Sequence, residues 1–479
     1  MFFLVFFRNP GTFLLLFSHL FVPLTSLKVL ALGKAKKKKS FSFAFHSFIR
    51  TFVRGMKVLI VNTSEQTGGA AVAANRLMDA LNNHGVKAKM LVRDKQTGDI
   101  CVAGLEGTIG KKWHFLWERL VIFFHLHFKR DHLFELDIAN SGTDITTLRE
   151  FKEADIIHLH WINQGMLSLK GIRRILRSGK PVVWTMHDIW PATGICHLTL
   201  GCTAFRQSCC HCKYLPGSGS ANDLSTKVWR HKRQMLSEGN ISFVACSKWL
   251  EQEAKSSGLL RGQTITSIPN PIETRIFCPG DKAKARMDEQ LPADKRLILF
   301  VCQRVTNPNK GMSYLIEACR QLAAQHPEMK EQTGVVILGG HADEVADQLP
   351  FETYPLGYVS DPQRMATIYR ASDVFVLPSL SENLPNTIME AMACGVPCIG
   401  FRVGGIPEEI DHQKNGYVAE YKSAADLARG INWILHQADY QALSDNAIAK
   451  VRHHYTGQQV AMQYTEVYQQ ALAQKHFML

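Results

Sequence analysis

A chain of 479 residues, 46% apolar and 20% charged, has enough apolar sequence for two well-buried domains and is too long for one ordinary core. Its formal charge is +13, but nine of its 55 Lys and Arg residues fall in the first 55 positions, which contain no Asp or Glu. The remaining 46 basic against 42 acidic residues exclude the strongly basic surface of a nucleic-acid-binding protein.

Those first 55 residues also hold 12 of the 26 phenylalanines, and "MKVLIVN" at Met56 opens like the first strand of an α/β domain. Residues 1–55 admit three readings: sequence upstream of a true start at Met56, a membrane anchor, or a cleaved secretory signal. Asn9 to Leu27 is 19 residues without a charge, and the "KAKKKK" that follows would stay on the cytoplasmic side of an anchor. "ALG" before the lysines is a poor cleavage site. The first two readings leave residue 56 onward cytoplasmic, the second of them at the inner face of the membrane.

From Met56 the pattern is strand, Gly-bearing loop and helix: "MKVLIVN", "TSEQTGG", then the Ala-rich "AAVAANRLMDALNNHG" stopping at Gly85. Buried-strand runs follow at "KAKMLV", "ADIIHLH", "KPVVWTMH" and "ISFVACS". The pattern restarts at "KRLILFVCQR" and continues through "GVVILGG", "DVFVLPS", "VPCIGF" and "NGYVAE". Apolar runs separated by helical lengths predict parallel sheets covered on both faces, so the fold class is α/β with two doubly wound Rossmann-like domains facing across a cleft. The expected division is 56–275 and 276–455, joined at the Pro-rich "SIPNPIETRIFCPG", with 456–479 a helix returning to the first domain. Such sheets bind ligands beyond the carboxyl ends of their strands.

In "SENLPNTIMEAMACGVPCIGF" the spacing predicts a strand exit at Glu382 and Asn383, then a helix starting near Leu384 to Asn386, with Pro385 in its first turn and Gly395 at its stop. Unpaired N–H groups at Asn383, Leu384, Asn386 and Thr387, with Pro385 fixing φ in the first turn, suit a phosphate or diphosphate. A carboxylate would repel that anion, so Glu382 and Glu390 address hydroxyls: a sugar diol for one and a ribose diol for the other. Taken alone, the pair reads equally well as two solvated glutamates.

Extended to "SENLPNTIMEAMACGVPCIGFRVGGIPEEI", and taken with "CQRVTNPNKGMSYLIEA", "IPNPIETRIFCP" and "TMHDIW", this stretch resembles the retaining glycosyltransferases of family 4, the group 1 glycosyl transferases, from Met56 to about Gln474. The resemblance implies the GT-B fold, with Glu382 on the donor sugar, Glu390 on the ribose, and Arg304 and Lys310 clamping the diphosphate. Relative to the common "GR…KG" form, Gln303 replaces the Gly and the loop is one residue longer. The resemblance places His187 near the reacting sugar and Asp188 behind it or towards the acceptor. Gly68 and Gly69 would let the first loop approach the diphosphate. The leaving phosphate itself would take the acceptor proton, so no catalytic metal is expected.

Three further segments remain. "IIHLHW" sets His158, His160 and Trp161 at a strand end, readable as structural, as acceptor lining or as an incomplete metal site. "KKWHFLWERLVIFFHLHFKR", residues 111–130, is aromatic on nearly every side and basic at both ends, readable as core or as a peripheral membrane contact. "GICHLTLGCTAFRQSCCHCKYLP" sets Cys196, Cys202, Cys209 and Cys212, with Cys210 spare, at a spacing readable as structural zinc, an iron–sulfur cluster, or free or bridged thiols.

The expected function is transfer of a sugar from a nucleotide-sugar donor to a glycan or lipid-linked acceptor in cell-surface polysaccharide biosynthesis. A nucleotide-sugar epimerase on the same fold and a non-catalytic glycan- or nucleotide-binding protein are the alternatives.

Overall fold

The structure, a computed structural model, describes residues 55–478 and two short strands before them. Residues Met1–Val53 and Arg54–Leu479 form separate units. In the first, Phe3–Phe6 (β1) pairs antiparallel with Phe13–Leu16 (β2). The anchor and signal readings of residues 1–55 otherwise lie outside the described residues. Among the described residues no helix is long and apolar enough to cross a membrane.

The second unit contains two sheets. The first comprises Lys57–Ser64 (β3), Lys87–Asp94 (β4), Val102–Gly104 (β5), Ile156–Leu159 (β6), Val182–Met186 (β7), Ile241–Ala245 (β8) and Thr264–Ser267 (β9), in the order β5-β4-β3-β6-β7-β8-β9. The second comprises Arg296–Arg304 (β10), Thr333–Gly340 (β11), Glu352–Gly357 (β12), Val374–Leu377 (β13), Cys398–Phe401 (β14) and Gly416–Ala419 (β15), in the order β12-β11-β10-β13-β14-β15. Every pairing in both is parallel. This is the α/β, doubly wound class expected from the buried apolar runs.

Strand order reverses beside β3 in the first sheet and beside β10 in the second. At such a point the loops leaving two neighbouring strands diverge to opposite faces and open a crevice. The loops after β3, β6, β10 and β13 therefore carry the residues best placed for ligand.

Burial follows the sequence pattern. The Gly69–Asn83 helix buries Ala74, Leu77, Met78, Ala80 and Leu81 against β3 and β4, each large side chain contributing about 1.5–3 kcal/mol. The same core includes Val460, Ala461, Tyr464, Tyr468 and Ala471 of the Gly457–Met478 helix, so the last helix packs on the first sheet. It gets there beside the earlier crossing of the chain: Ile272 pairs with Thr456, and its N–H donates to Tyr455 O at 2.8 Å.

The aromatic segment is neither wholly buried nor uniformly amphipathic. The Thr108–His125 helix turns Glu118 and Arg119 inward. Glu118 Oε1 accepts the N–H groups of Ile138 and Ala139 at 2.9 and 2.6 Å, and Arg119 pairs with Asp137. Ile109, Trp113, Leu116, Trp117, Leu120 and Phe124 lie outward on the opposite face. A buried carboxylate needs strong donors, and the backbone of 138–139 supplies them.

The Tyr468 hydroxyl and His158 Nδ1 share a hydrogen bond of 2.7 Å, both groups being fully buried. Tyr468→Phe leaves that nitrogen unpartnered and is expected to lower the unfolding free energy by about 1–3 kcal/mol, read from urea unfolding midpoints.

Candidate functional site

A cleft of about 390 Å³ opens where the two crevices face each other. From the first half it is lined by Gln66, Gly68, Gly69 and His187, and from the second by Gln303, Lys310, Glu382 and residues 383–387. Two helices begin there. The Gly69–Asn83 and Asn386–Ala393 helices start at Gly68 and Pro385, and neither start has a side-chain cap. Uncapped first-turn N–H groups carry partial positive charge, so the cleft has an anion-binding element on each wall. The walls meet directly: Asn386 Nδ2 donates to Gly69 O at 3.1 Å.

Lys310 and Glu382 form an ion pair at 2.5 Å. Burial opposes the lysine's charge and Glu382 restores it, with the net effect that the ammonium is held above its usual range. The Glu382 loop is shaped by close backbone contact with the Val403–Gly405 turn. A Cβ on Gly404, at φ +58°, would stand 1.7 Å from the Glu382 backbone O, so only glycine fits against the Glu382 main chain.

The other expected donor residues are placed differently. Glu390 is buried in the helix, with Oε1 on Arg76 at 2.7 Å and Oε2 accepting from Tyr369 at 3.1 Å. Arg76 belongs to the first half and also lies 5.1 Å from the Phe277 ring centroid. Arg304 is exposed and bonds Thr306 Oγ1 at 3.0 Å, while its neighbour Gln303 lines the cleft. A register shift in β10 between Val301 and Arg304 lies at this point.

His187 lines the cleft but directs both ring nitrogens inward. Nε2 lies 2.9 Å from His160 Nδ1, and Nδ1 lies 3.5 Å from Cys246 Sγ. The Cys246 thiol donates to Asn270 Oδ1 at 3.1 Å, so His187 Nδ1–H is the donor to sulfur and Nε2 the acceptor from His160. His160 Nε2 then keeps a lone pair with no protein partner. Burial pulls His187 down to about 4 and His158 to about 3, so both are neutral near pH 7. A neutral, fully engaged imidazole positions; it does not donate a proton. His158 bridges the hydroxyls of Thr185 and Tyr468. Trp161 donates its indole N–H to Asp188 at 3.0 Å.

Asp188 faces away from the cleft into a charge network that the spacing did not reveal. His197 is gripped by Asp188 at 2.7 Å and by Asp137 at 2.6 Å. Arg76, Asn270, Cys246 and His197 were all missed because their partners lie on distant strands or helices. All four lie inside stretches quoted above, but nothing in those stretches shows what they face. Among the described residues no group of three or more His, Cys, Asp or Glu side chains is arranged as a metal site.

Burial opposes protonation of His197, but Asp188 and Asp137 outweigh it and raise its pKa from 6.5 to about 10. A raised folded-state pKa gives stability that is complete below about 6.5 and is lost as pH rises through 10. The wild-type urea midpoint should therefore fall between pH 7 and pH 10. In His197→Asn that fall should be smaller by the equivalent of at least about 1.4 kcal/mol, one pKa unit.

The chain matches the family description "Glycosyl transferases group 1" over residues 281–452 and "Glycosyltransferase Family 4" over residues 67–276. D-inositol 3-phosphate glycosyltransferases of Acidothermus cellulolyticus and Catenulispora acidiphila are each 30% identical to it, over 44% and 39% of this chain. The chain spans about half the length of these curated relatives, 49% and 46%. Its fold is similar to that of sucrose-phosphate synthase from Thermosynechococcus elongatus, with a TM-score of 0.60 and 19% identity over 87% of this chain and 99% of that one. It is also similar to Anabaena HepE in complex with UDP-glucose, with a TM-score of 0.57 and 17% identity over 87% of this chain and 100% of that one. At such identities the likeness is one of fold alone. The two family matches fall one on each sheet, with the cleft between them, and the chain belongs to the group 1, family 4 glycosyltransferases of GT-B fold.

Proposed function

We propose that this chain transfers a sugar from a nucleoside-diphosphate sugar to a glycan or lipid-linked acceptor, with retention of anomeric configuration, in cell-surface polysaccharide assembly. One observation carries the reading: two uncapped helix starts, Lys310 and Glu382 share a single cleft. Positive groups address the diphosphate, and the carboxylate addresses sugar hydroxyls. In the transition state the bond from the anomeric carbon to the β-phosphate oxygen breaks and negative charge grows on the phosphate. The acceptor oxygen adds to the same face, and its proton passes to the departing phosphate, so no side-chain base is required.

The Lys310–Glu382 pair is a resting arrangement in this scheme. A diphosphate outcompetes one carboxylate for Lys310, and Glu382 is then free for the sugar. Lys310→Ala is expected to lower kcat/KM more than tenfold, equivalent to about 1.4 kcal/mol of lost transition-state stabilisation. Wild-type kinetics in this variant would reduce Lys310 to a surface charge. Arg304 reaches the diphosphate only by leaving Thr306, so Arg304→Ala should cost less than Lys310→Ala.

Glu390 can receive a ribose only if Arg76 withdraws. Binding of a panel of nucleoside diphosphates, measured by calorimetry, separates the roles. A ribose contact predicts that Glu390→Ala weakens binding while Arg76→Ala does not. A tie between the halves predicts equal weakening in both.

The acceptor side is read from the Thr108–His125 helix. Trp113 is 59% exposed, Phe124 51% and Phe128 64%, and the exposed Lys112, Lys129 and Arg130 flank them. The only acidic residue of the helix, Glu118, is buried. An apolar stripe with basic flanks is complementary to the anionic cytoplasmic leaflet, which would hold the enzyme at the inner face of the membrane beside a lipid-linked acceptor. The full chain should float with phosphatidylglycerol vesicles, and Trp113→Ser/Trp117→Ser/Phe124→Ser should not. Equal flotation of both, or a dimer that the variant dissociates with no vesicle binding, refutes the docking surface.

A further inference from the structure

The cysteine loop follows directly on the segment that carries His187 and Asp188. A cavity of about 20 Å³ is lined by Cys196, Cys202, Cys209, Cys210 and Cys212, a volume on the scale of a single water or small ion. All twelve cysteines of the chain are free thiols. The loop buries Ile195, Phe205, Tyr214 and Leu215, but its regular structure is limited to the short turns Ala204–Arg206 and Pro216–Ser218.

Two contacts prepare this cavity for negative sulfur. The Gly194 N–H donates to Cys209 Sγ at 3.1 Å. Gly194 must be glycine for that approach, because a Cβ there would stand 2.6 Å from Ser225 O and 3.1 Å from Cys209 Cβ. The second contact is Lys232, which is 1% exposed. Its Nζ donates to Trp190 O at 2.6 Å and Thr193 O at 3.0 Å and lies 3.3 Å from the centroid of the Trp190 ring. Among the described residues no carboxylate is within ion-pair distance of it, and a buried cation without a counter-charge is expensive. Thr193, whose carbonyl it holds, lines the cysteine cavity, so Lys232 stands behind one wall of it.

We propose that Cys196, Cys202, Cys209 and Cys212 bind one structural zinc ion as thiolates, with Lys232 as the buried counter-charge. Four thiolates around a divalent ion carry a net charge of about −2, and an adjacent ammonium offsets part of it. Binding releases the four thiol protons and forms four zinc–sulfur bonds with no change of oxidation state. No three of the thiols are yet set as ligands, so the ion draws them inward by side-chain rotation. Four protein ligands leave no open position, so the ion holds the loop and does not act on substrate. Its mechanical link to the site is short. Cys196 precedes His197, which Asp188 grips one residue after His187.

Elemental analysis of the full chain, purified without chelator from zinc-replete medium, should find about one zinc per chain. Cys209→Ser and Cys212→Ser should lose it and Cys210→Ser should keep it. Because the first two variants can also fail to fold, cobalt exchange into the unaltered chain gives an independent reading: a strong thiolate-to-cobalt band in the near ultraviolet with the visible bands of a tetrahedral site. Folded protein without metal, cobalt protein lacking the thiolate band, a brown sulfide-containing iron centre, or zinc lost from Cys210→Ser but kept in Cys202→Ser each overturns the proposal.

Discussion

A parallel sheet cannot return its chain by tight hairpins, so each strand must be followed by a crossover on one face or the other. Both sheets of this chain are wholly parallel, and everything at the cleft depends on that. All carboxyl ends of a sheet lie on one edge, and wherever the crossovers change face a crevice is left open there. The exits of β3 and β6, and of β10 and β13, are the edges concerned, and they deliver Gly68, His160, Gln303 and Glu382 without any special local sequence. The helices that cover the sheets begin at the same edge. Their unpaired amides therefore come to the cleft as a by-product of topology.

Charge in and around the cleft is balanced inside the protein. Lys310 holds Glu382, Arg76 holds Glu390, and His197 joins two aspartates behind the wall. A ligand that enters must exchange partners instead of meeting bare charge. The gain on binding is then the difference between two ion pairs and not the full strength of one, which favours release of a charged product.

The architecture was legible because strands buried on both faces read as unbroken apolar runs. "KVLIVN", "VVWTM" and "LILFV" lie at β3, β7 and β10. Val102–Gly104, Thr264–Ser267 and Glu352–Gly357 were not legible: they are short edge strands, partly exposed, with no such run. The uncapped helix after Glu382 could be read from Pro385 and the turn before it. The orientation of Glu390 could not, since it depends on Arg76, 314 residues away. The aromatic helix misled in another way. Periodicity counts apolar residues but cannot show that Glu118 and Arg119 find backbone and carboxylate partners indoors while tryptophans face out.

The return of the last helix to the first sheet has a consequence for synthesis on the ribosome. Val460, Tyr464, Tyr468 and Ala471 complete the core that Ile60, Leu77 and Leu81 begin. At roughly 5–20 residues per second, nearly 400 residues of translation separate the two sets, a delay on the order of tens of seconds. Throughout it the side of the Gly69–Asn83 helix that meets the last helix has no native cover. The second half, by contrast, can finish its own core first, so the domain made last in the chain is the one able to fold without waiting.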